Sequence, residues 1–384
     1  MKKIIYLLFA TAMFASCNSN KELKVTVENP SSFDRSKDLV EIPVTDLAKI
    51  KLNDGQTYVV KNAKGEVIPS QITHDNKLLF QSGIDKGKAD FTISAGAPQE
   101  FKSQTTGRLV TERKDDFAWE NDRVAFRIYG PALVAVDGPS NGIDVWYKRT
   151  SDLVTDKWYK ADIAGEASYH EDHGEGLDDY KVGRSLGAGG MAPFVKDSLW
   201  LNENFTKAEV LDNGPLRTTV KLSYKNIDVD GTSFSESRTI SLDAGSQLSK
   251  VVQEYGSNTP IKVAAGIPLR DDKDSSIVAN PKGGYVIYVE PSEKAGQVFM
   301  ATAFPSALDS IVKNTYTYIN PKKDNSPETH THILAVTTYQ PNTPITYYTG
   351  YGWTKFGFAT VSDFQTYIEN FLNAKKEPLK YTIQ

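Results

Sequence analysis

Arg217-Thr218-Thr219-Val220-Lys221-Leu222-Ser223-Tyr224 decides the fold class of this 384-residue chain. Val220, Leu222 and Tyr224 fall on one parity and Thr219, Lys221 and Ser223 on the other. That period of two belongs to a strand with one buried and one wetted face. Leu23-Lys24-Val25-Thr26-Val27 and Tyr285-Val286-Ile287-Tyr288-Val289 alternate in the same way. Turn signals separate such stretches: Asn53-Asp54-Gly55, Lys64-Gly65, Asp212-Asn213-Gly214-Pro215, Asp230-Gly231 and Pro281-Lys282-Gly283-Gly284. Many short strands between frequent turns predict an all-β protein, a large antiparallel β-sandwich with little helix. The best helical pattern lies near the C-terminus, where Ser362 would cap Asp363 to Leu372 and Phe364, Ile368 and Phe371 share a stripe.

Neither a low-complexity linker nor a clear repeat divides the chain. Residues 18–384 therefore read as one sandwich domain, with 18–99 as a semi-independent N-terminal sheet. Residues 1–17 read as a leader. Met1-Lys2-Lys3 is a basic start, Ile4 to Phe14 is apolar, and Ala15-Ser16-Cys17 ends the run with small residues. Cys17, the single cysteine, sits where lipidation would anchor the mature chain, although Phe14 departs from the Leu usual at the start of that motif. The expectation is a periplasm-facing lipoprotein of the outer membrane. With one cysteine no internal disulfide can form, so the core must hold the fold. A net charge of -4 spread along the chain leaves no nucleic-acid footprint.

The stretch from Thr150 to Asn202 interrupts the alternation and carries Gly174, Gly176, Gly183, Gly187, Gly189 and Gly190. An irregular insert of this length in a compact domain usually serves function. No strand-glycine-helix unit surrounds these glycines, so they are not a phosphate-binding loop. Four of the five histidines fall in two clusters. The first is Tyr169-His170-Glu171-Asp172-His173-Gly174-Glu175-Gly176-Leu177-Asp178-Asp179-Tyr180; the second is His330-Thr331-His332. His330 and His332 would share one face of a strand. Both clusters suit proton transfer. His330, His332, Asp172 and Glu175 also leave a divalent metal ion open, with zinc, manganese or calcium compatible with such donors.

Arg184 follows Tyr180 by four residues. Arg123 and Arg127 would share a face if Trp119–Arg127 were a single strand, and Arg270 is a further candidate cation. A guanidinium clamps a carboxylate in two places, which suits an acidic sugar; intramolecular ion pairing is the plainer alternative. Trp146 and Trp353, with Lys355 beside the latter, are candidate sugar platforms, because flat apolar rings match pyranose faces.

Trp119-Glu120-Asn121-Asp122-Arg123-Val124-Ala125-Phe126-Arg127-Ile128-Tyr129-Gly130 resembles a signature of domain-of-unknown-function family 4861. So do Gly142-Ile143-Asp144-Val145-Trp146, Asp172-His173-Gly174-Glu175-Gly176 followed by Tyr180-Lys181-Val182-Gly183, and Gly350-Tyr351-Gly352-Trp353-Thr354-Lys355. The motifs fall in order over nearly the whole chain after the leader. The resemblance implies a polysaccharide-utilisation lipoprotein of Bacteroidetes type and a galactose-mutarotase-like supersandwich. It also implies carbohydrate chemistry, since the family includes a dehydratase that makes a 4,5-unsaturated uronate from ulvan oligosaccharides.

Elimination beside a carboxylate needs a base for the C5 proton, an acid for the group leaving C4 and a cation for the carboxylate. His170, His173 and Tyr180 are the expected proton carriers, with Arg184 or Arg123 as the clamp. A dehydratase or lyase acting on an acidic oligosaccharide is thus the leading expectation. A sugar mutarotase or epimerase, or a non-catalytic glycan-binding lipoprotein, is the alternative.

Overall fold

The computed structural model describes residues 22–270 and 273–384. The leader and Cys17 lie outside the described residues. Strand makes up 48% and helix 11%, and every paired strand ladder is antiparallel among the described residues. The fold is an all-β sandwich. No helix among the described residues is long and apolar enough to cross a membrane.

The alternating stretch forms the strand Arg217–Ser223, between Lys207–Asn213 and Glu236–Asp243. These belong to an eight-stranded sheet that continues through Leu248–Tyr255, Ile345–Trp353, Gly296–Ala303, Tyr285–Ser292 and Ile277–Asn280. Val220 and Leu222 point inward with Ile240, Leu242 and Val251. Facing them are two five-stranded sheets. One runs Gly176–Leu177, Ile143–Lys148, Ala125–Ile128, Asp116–Asn121 and Thr105–Val110; the other runs Ser198–Leu199, Met191–Val195, Ile261–Pro268, Pro327–Tyr339 and Ser310–Ile319. Trp119, Phe126, Tyr147, Ile267, Ile333 and Tyr351 join these layers in one core. Each such side chain, fully buried, contributes about 1.5–3 kcal/mol.

The helix Val361–Lys376 covers the outer face of the eight-stranded sheet through Phe364, Ile368 and Leu372. Its cap is Thr360 rather than Ser362: the Thr360 hydroxyl accepts the Asp363 amide while Asp363 accepts the Thr360 amide. That reciprocal box satisfies amides at the helix start, which is why the helix begins two residues before the expected cap would allow.

Residues 23–96 build two smaller sheets around a separate core of Val25, Val27, Ile42, Phe80 and Ile93. The edge of the larger one is completed by Lys380–Ile383, which pairs with Leu23–Asn29. This return of the chain's end is invisible to a local reading of the sequence.

The glycine-rich insert is folded onto the sheets. It contains a helix, Thr155–Ile163, that the alternation-based reading missed. Glu120 makes that helix start where it does. Its buried carboxylate accepts the amides of Val154 at 2.9 Å and Thr155 at 2.7 Å and pairs with Lys148 at 2.8 Å. A carboxylate at a helix N-terminus meets unpaired amides and the positive end of the dipole. Gly176, at φ +129°, and Gly187, at φ +60°, lie against the carbonyls of Tyr147 and Ile143, where a Cβ would collide. The insert is thereby pressed onto the strand Ile143–Lys148.

Candidate active site

Arg127 organises the site. It stands on the strand Ala125–Ile128, across from Asp144 on the neighbouring strand. Phe126 and Ile128 turn into the core, so Arg127 emerges on the outer face of the sheet. Its guanidinium meets Asp144 through Nε at 2.8 Å and Asp178 through Nη2 at 2.8 Å. It also lies over the rings of Tyr129 at 4.9 Å and Trp146 at 5.1 Å. All three charged side chains are at most 2% exposed.

One cation between two buried carboxylates cannot hold both as anions cheaply, because each lost its water on burial. Burial, and then repulsion from Asp144, push the Asp178 carboxyl up to about 8; Asp144 is also raised, by burial above all. The triad therefore retains a proton at neutral pH.

Asp178 opens into a cleft of about 280 Å³ that is also lined by Arg113, Arg127, His170, Tyr180 and Arg184. His170 Nδ1 lies 3.0 Å from the Asp178 carbonyl oxygen. A carbonyl can only accept, so Nδ1 donates, and in the tautomer that carries its proton there Nε2 is the acceptor. Tyr180 lies two residues beyond Asp178. It is 4% exposed, and its hydroxyl has no hydrogen-bond partner among the described residues. Burial holds its pKa well above the usual phenol range, so it keeps its proton. Arg270 stacks over the Tyr180 ring at 5.2 Å, donates to the Lys181 carbonyl and pairs with Glu290 at 3.0 Å. It backs the phenol rather than facing the cleft.

Arg184 has an unusual environment. It is half-buried, lies 5.6 Å over Tyr318, and donates to the carbonyls of Leu201 and Asn202, each at 2.6 Å. No carboxylate pairs with it among the described residues, and burial lowers its pKa. Shielded cations are usually paired; this one lines the cleft with two carbonyl dipoles as its hydrogen-bond partners among the described residues.

The second histidine cluster approaches the same place, on the strand Pro327–Tyr339. Glu328 lines the cleft and lies 3.7 Å from His330, and a Cβ at Gly183 would sit 3.3 Å from the His330 ring. His332 is completely buried; its Nε2 accepts the Leu186 amide at 3.2 Å. Burial drives its pKa down to about 3. It secures the insert and does not reach the cleft.

Other expected residues lie elsewhere. His173 turns to a small apolar recess beside Trp158, with Nε2 on the Ser168 carbonyl at 3.1 Å. Asp172 pairs with Arg149 at 3.0 Å and Glu175 with Lys157 at 2.8 Å. These two do not converge with His330 and His332, and no group of three or more His, Cys, Asp or Glu among the described residues is placed to hold a metal ion. Arg123 and Arg127 do not share a face, because Trp119–Arg127 is two strands and a turn; Arg123 sits in the turn, 3.5 Å from Asp122 and 5.7 Å over Phe356.

Trp146 and Trp353 are each 1% exposed. Trp146 packs between Trp158 and Tyr169, and Trp353 donates to the Ala295 carbonyl at 2.8 Å, with Lys355 against its ring. Being buried, they serve as core where sugar platforms were expected. The sequence reading passed over Asp144, which it quoted only within a motif, and Asp178, which was one of five acids in its cluster. The local signal for Asp178 was its two-residue spacing from Tyr180, which puts both on one side of an extended segment.

The chain belongs to the family described as Domain of unknown function (DUF4861), whose model matches residues 27–380. It is 30% identical over 410 residues to a protein of Formosa agariphila called Uncharacterized protein P7, with all of both chains covered. Among solved structures it is similar to an alpha-mannosidase from Enterococcus faecalis at TM-score 0.51 and 8% identity, covering 94% of this chain and 46% of that one. The chain thus spans under half the length of the mannosidase chain. Heparinase III is a more distant likeness, at TM-score 0.36 and 8% identity over 73% of this chain and 40% of that one. At 8% identity the likeness to the mannosidase is one of fold.

Proposed function

We propose that the chain is a carbohydrate-active enzyme that eliminates across C4 and C5 of a uronic acid in an acidic oligosaccharide, as a dehydratase or a lyase. The observation that carries this reading is Arg184, a cation with no carboxylate partner among the described residues, lining the cleft that also holds His170, Asp178 and Tyr180. The resemblance of the motifs to a family with a uronate dehydratase points the same way. The solved structures similar in fold include carbohydrate-active enzymes, an alpha-mannosidase among them.

In this reading Arg184 meets the uronate carboxylate and stabilises the charge that gathers there as the C5 proton leaves. His170 Nε2 takes that proton and the C5 electron pair forms the C4=C5 bond. The C4–O bond breaks, and Tyr180 gives its proton to the departing oxygen. Water leaves in a dehydratase and a sugar hydroxyl in a lyase. The protonated Asp178–Arg127–Asp144 triad positions His170 through the Asp178 carbonyl and keeps negative charge away from the substrate carboxylate. A pure binding module would need the cation but not the three proton carriers.

Ultraviolet absorbance of the unsaturated uronate, followed with uronate oligosaccharides, tests the reading. Growth of that absorbance, lost in His170→Ala, supports it. Anomer interconversion without absorbance would instead establish a mutarotase, and binding with neither would establish a lectin-like role. The proposed location is the periplasmic side of the outer membrane, through a lipid on Cys17. Cys17→Ala should move the protein out of the membrane fraction, and an unchanged distribution would refute the anchor.

A further inference from the structure

A second cleft shares no residue with the His170 site. It has a volume of about 580 Å³ and lies on the outer face of the eight-stranded sheet. Three separate pieces wall it: the segment 33–41 of the small N-terminal sheets, the strands around Lys250 and Tyr348, and the last turns of the helix Val361–Lys376.

Its floor is set by strand register. Lys250 and Tyr348 are directly paired across adjacent strands, so their side chains stand together on the outer face. Phe371 meets Tyr348 edge-on at 4.8 Å between ring centres. Lys375 caps both rings, with Nζ 4.7 Å from Phe371 and 5.5 Å from Tyr348. Aromatic faces beside ammonium groups suit a ligand with apolar ring faces and anionic substituents.

The charges in the cleft are unevenly matched. Glu41 and Asp243 are both taken by Arg217, at 2.7 and 2.5 Å, and Asp38 by Arg35 at 2.7 Å. Lys37, Lys250 and Lys375 pair with no carboxylate among the described residues. Partial burial, and then the neighbouring Arg217, lower the Lys250 pKa against the opposing pull of Glu41 and Asp243. Asp34 also lines the cleft, and hydrogen bonds from Ser36, then the charge of Lys37, lower its pKa. The cleft thus sets five cations against four carboxylates, with Lys37, Lys250 and Lys375 exposed and outside any ion pair around two aromatic rings among the described residues.

We propose that this cleft is a second, non-catalytic binding site for an acidic oligosaccharide, in which Lys37, Lys250 and Lys375 receive carboxylate or sulfate groups and Tyr348 and Phe371 support a sugar ring. It lies across the core from the His170 cleft. It would hold a separate stretch of glycan, or a second chain, while the other site works. The choice of an acidic glycan rests on the proposed function; the existence of an anion-accepting cleft does not.

The experiment is calorimetric titration of the full chain carrying His170→Ala, so that the ligand is not consumed. The probes are a uronate oligosaccharide, its sulfated form, a neutral oligosaccharide of the same length, and vesicles of anionic phospholipid. The expected result is two binding events with one or both acidic probes. One event weakens at least ten-fold in Lys250→Glu/Lys375→Glu, and the neutral probe shows neither. On a His170 background, the same double substitution should leave turnover of the shortest substrate unchanged. If the charge reversal fails to fold, Lys250→Gln/Lys375→Gln replaces it. Preference between the two acidic probes identifies carboxylate or sulfate as the recognised group, and either supports the site. A single event unaffected by the substitutions overturns it, as does equal binding of the neutral probe. Loss of vesicle binding alone would reassign the cleft to a lipid surface and also overturn it. If no uronate is turned over yet the lysine-dependent event persists, the catalytic reading fails and this site stands.

Discussion

His170 Nδ1 lies 3.0 Å from the carbonyl oxygen of Asp178, eight residues further along the same insert. The contact closes the insert on itself and determines which ring nitrogen carries the proton. An imidazole donating from Nδ1 has Nε2 ready to accept. His170→Ala should reduce kcat on a uronate substrate by ~10²–10⁴-fold, the usual contribution of a positioned proton carrier. His173→Ala, in its separate recess, should change kcat by less than about three-fold, well below that contribution. Steady-state rates of the two variants decide the matter, and equal effects would refute the assignment.

Arg184 should behave as a carboxylate clamp. Its loss removes an interaction that strengthens toward the transition state, so Arg184→Ala should lower kcat and raise KM together. Arg184→Lys keeps the charge but not the planar fork, and should restore part of kcat/KM. Kinetics on matched uronate and neutral sugars checks this; a loss equal for both would mean that Arg184 is only structural.

Asp178 sets the alkaline limit. Its carboxyl, raised to about 8, is mostly neutral at pH 7 and becomes an anion above pH 8, next to the position proposed for the substrate carboxylate. KM should therefore rise above pH 8 in the native protein, and the rise should vanish in Asp178→Asn. The same shift governs stability. A carboxyl raised from 3.8 to about 8 binds more protons folded than unfolded, so its contribution is present at low pH and falls as pH climbs through that window. Thermal melting of native and Asp178→Asn protein from pH 5 to 9 would expose the difference.

His332 acts in the opposite sense. Buried and neutral, with its pKa depressed to about 3, it binds fewer protons folded than unfolded between pH 3 and 6.5. Its stabilising contribution is complete above pH 6.5 and is lost as pH falls toward 3. At the acid end the loss is on the order of 5 kcal/mol. His332→Gln can still accept the Leu186 amide and should flatten the acid limb of the melting profile. An unchanged limb would place the acid sensitivity elsewhere.

Trp146→Ala should unfold the protein more readily, by about 3–5 kcal/mol, the range for deleting a large buried aromatic. Any glycan affinity that survives in the folded fraction should be unaltered. Denaturant titration and calorimetry separate these effects.

The fold class was legible because alternation is local: Val220 and Leu222 announce their own strand. The motif Trp119–Arg127 was legible as a signature but not as a structure. Glu120 is there to start a helix some 35 residues on, and Arg127 finds its meaning only beside Asp144 and Asp178. Trp146 and Trp353 show why aromatic residues mislead. Composition cannot tell a ring buried under Trp158 from one facing solvent, because both want the same apolar contact. His170, Tyr180 and Arg184 come to line one cleft because the short segment that carries them folds back on itself.

The pairing of Val25 with Ile383 and of Val27 with Tyr381 carries a consequence for biogenesis. A chain synthesised from its N-terminus delivers the strand Leu23–Asn29 early and the strand Lys380–Ile383 late. Until then the strand Leu23–Asn29 holds one neighbour, Gly87–Gly96, and shows its other flank as a bare row of amides and carbonyls. Maturation is thus gated by the arrival of the final residues. A C-terminal fusion would emerge directly after Lys380–Ile383, beside the strand edge that this segment has to cover.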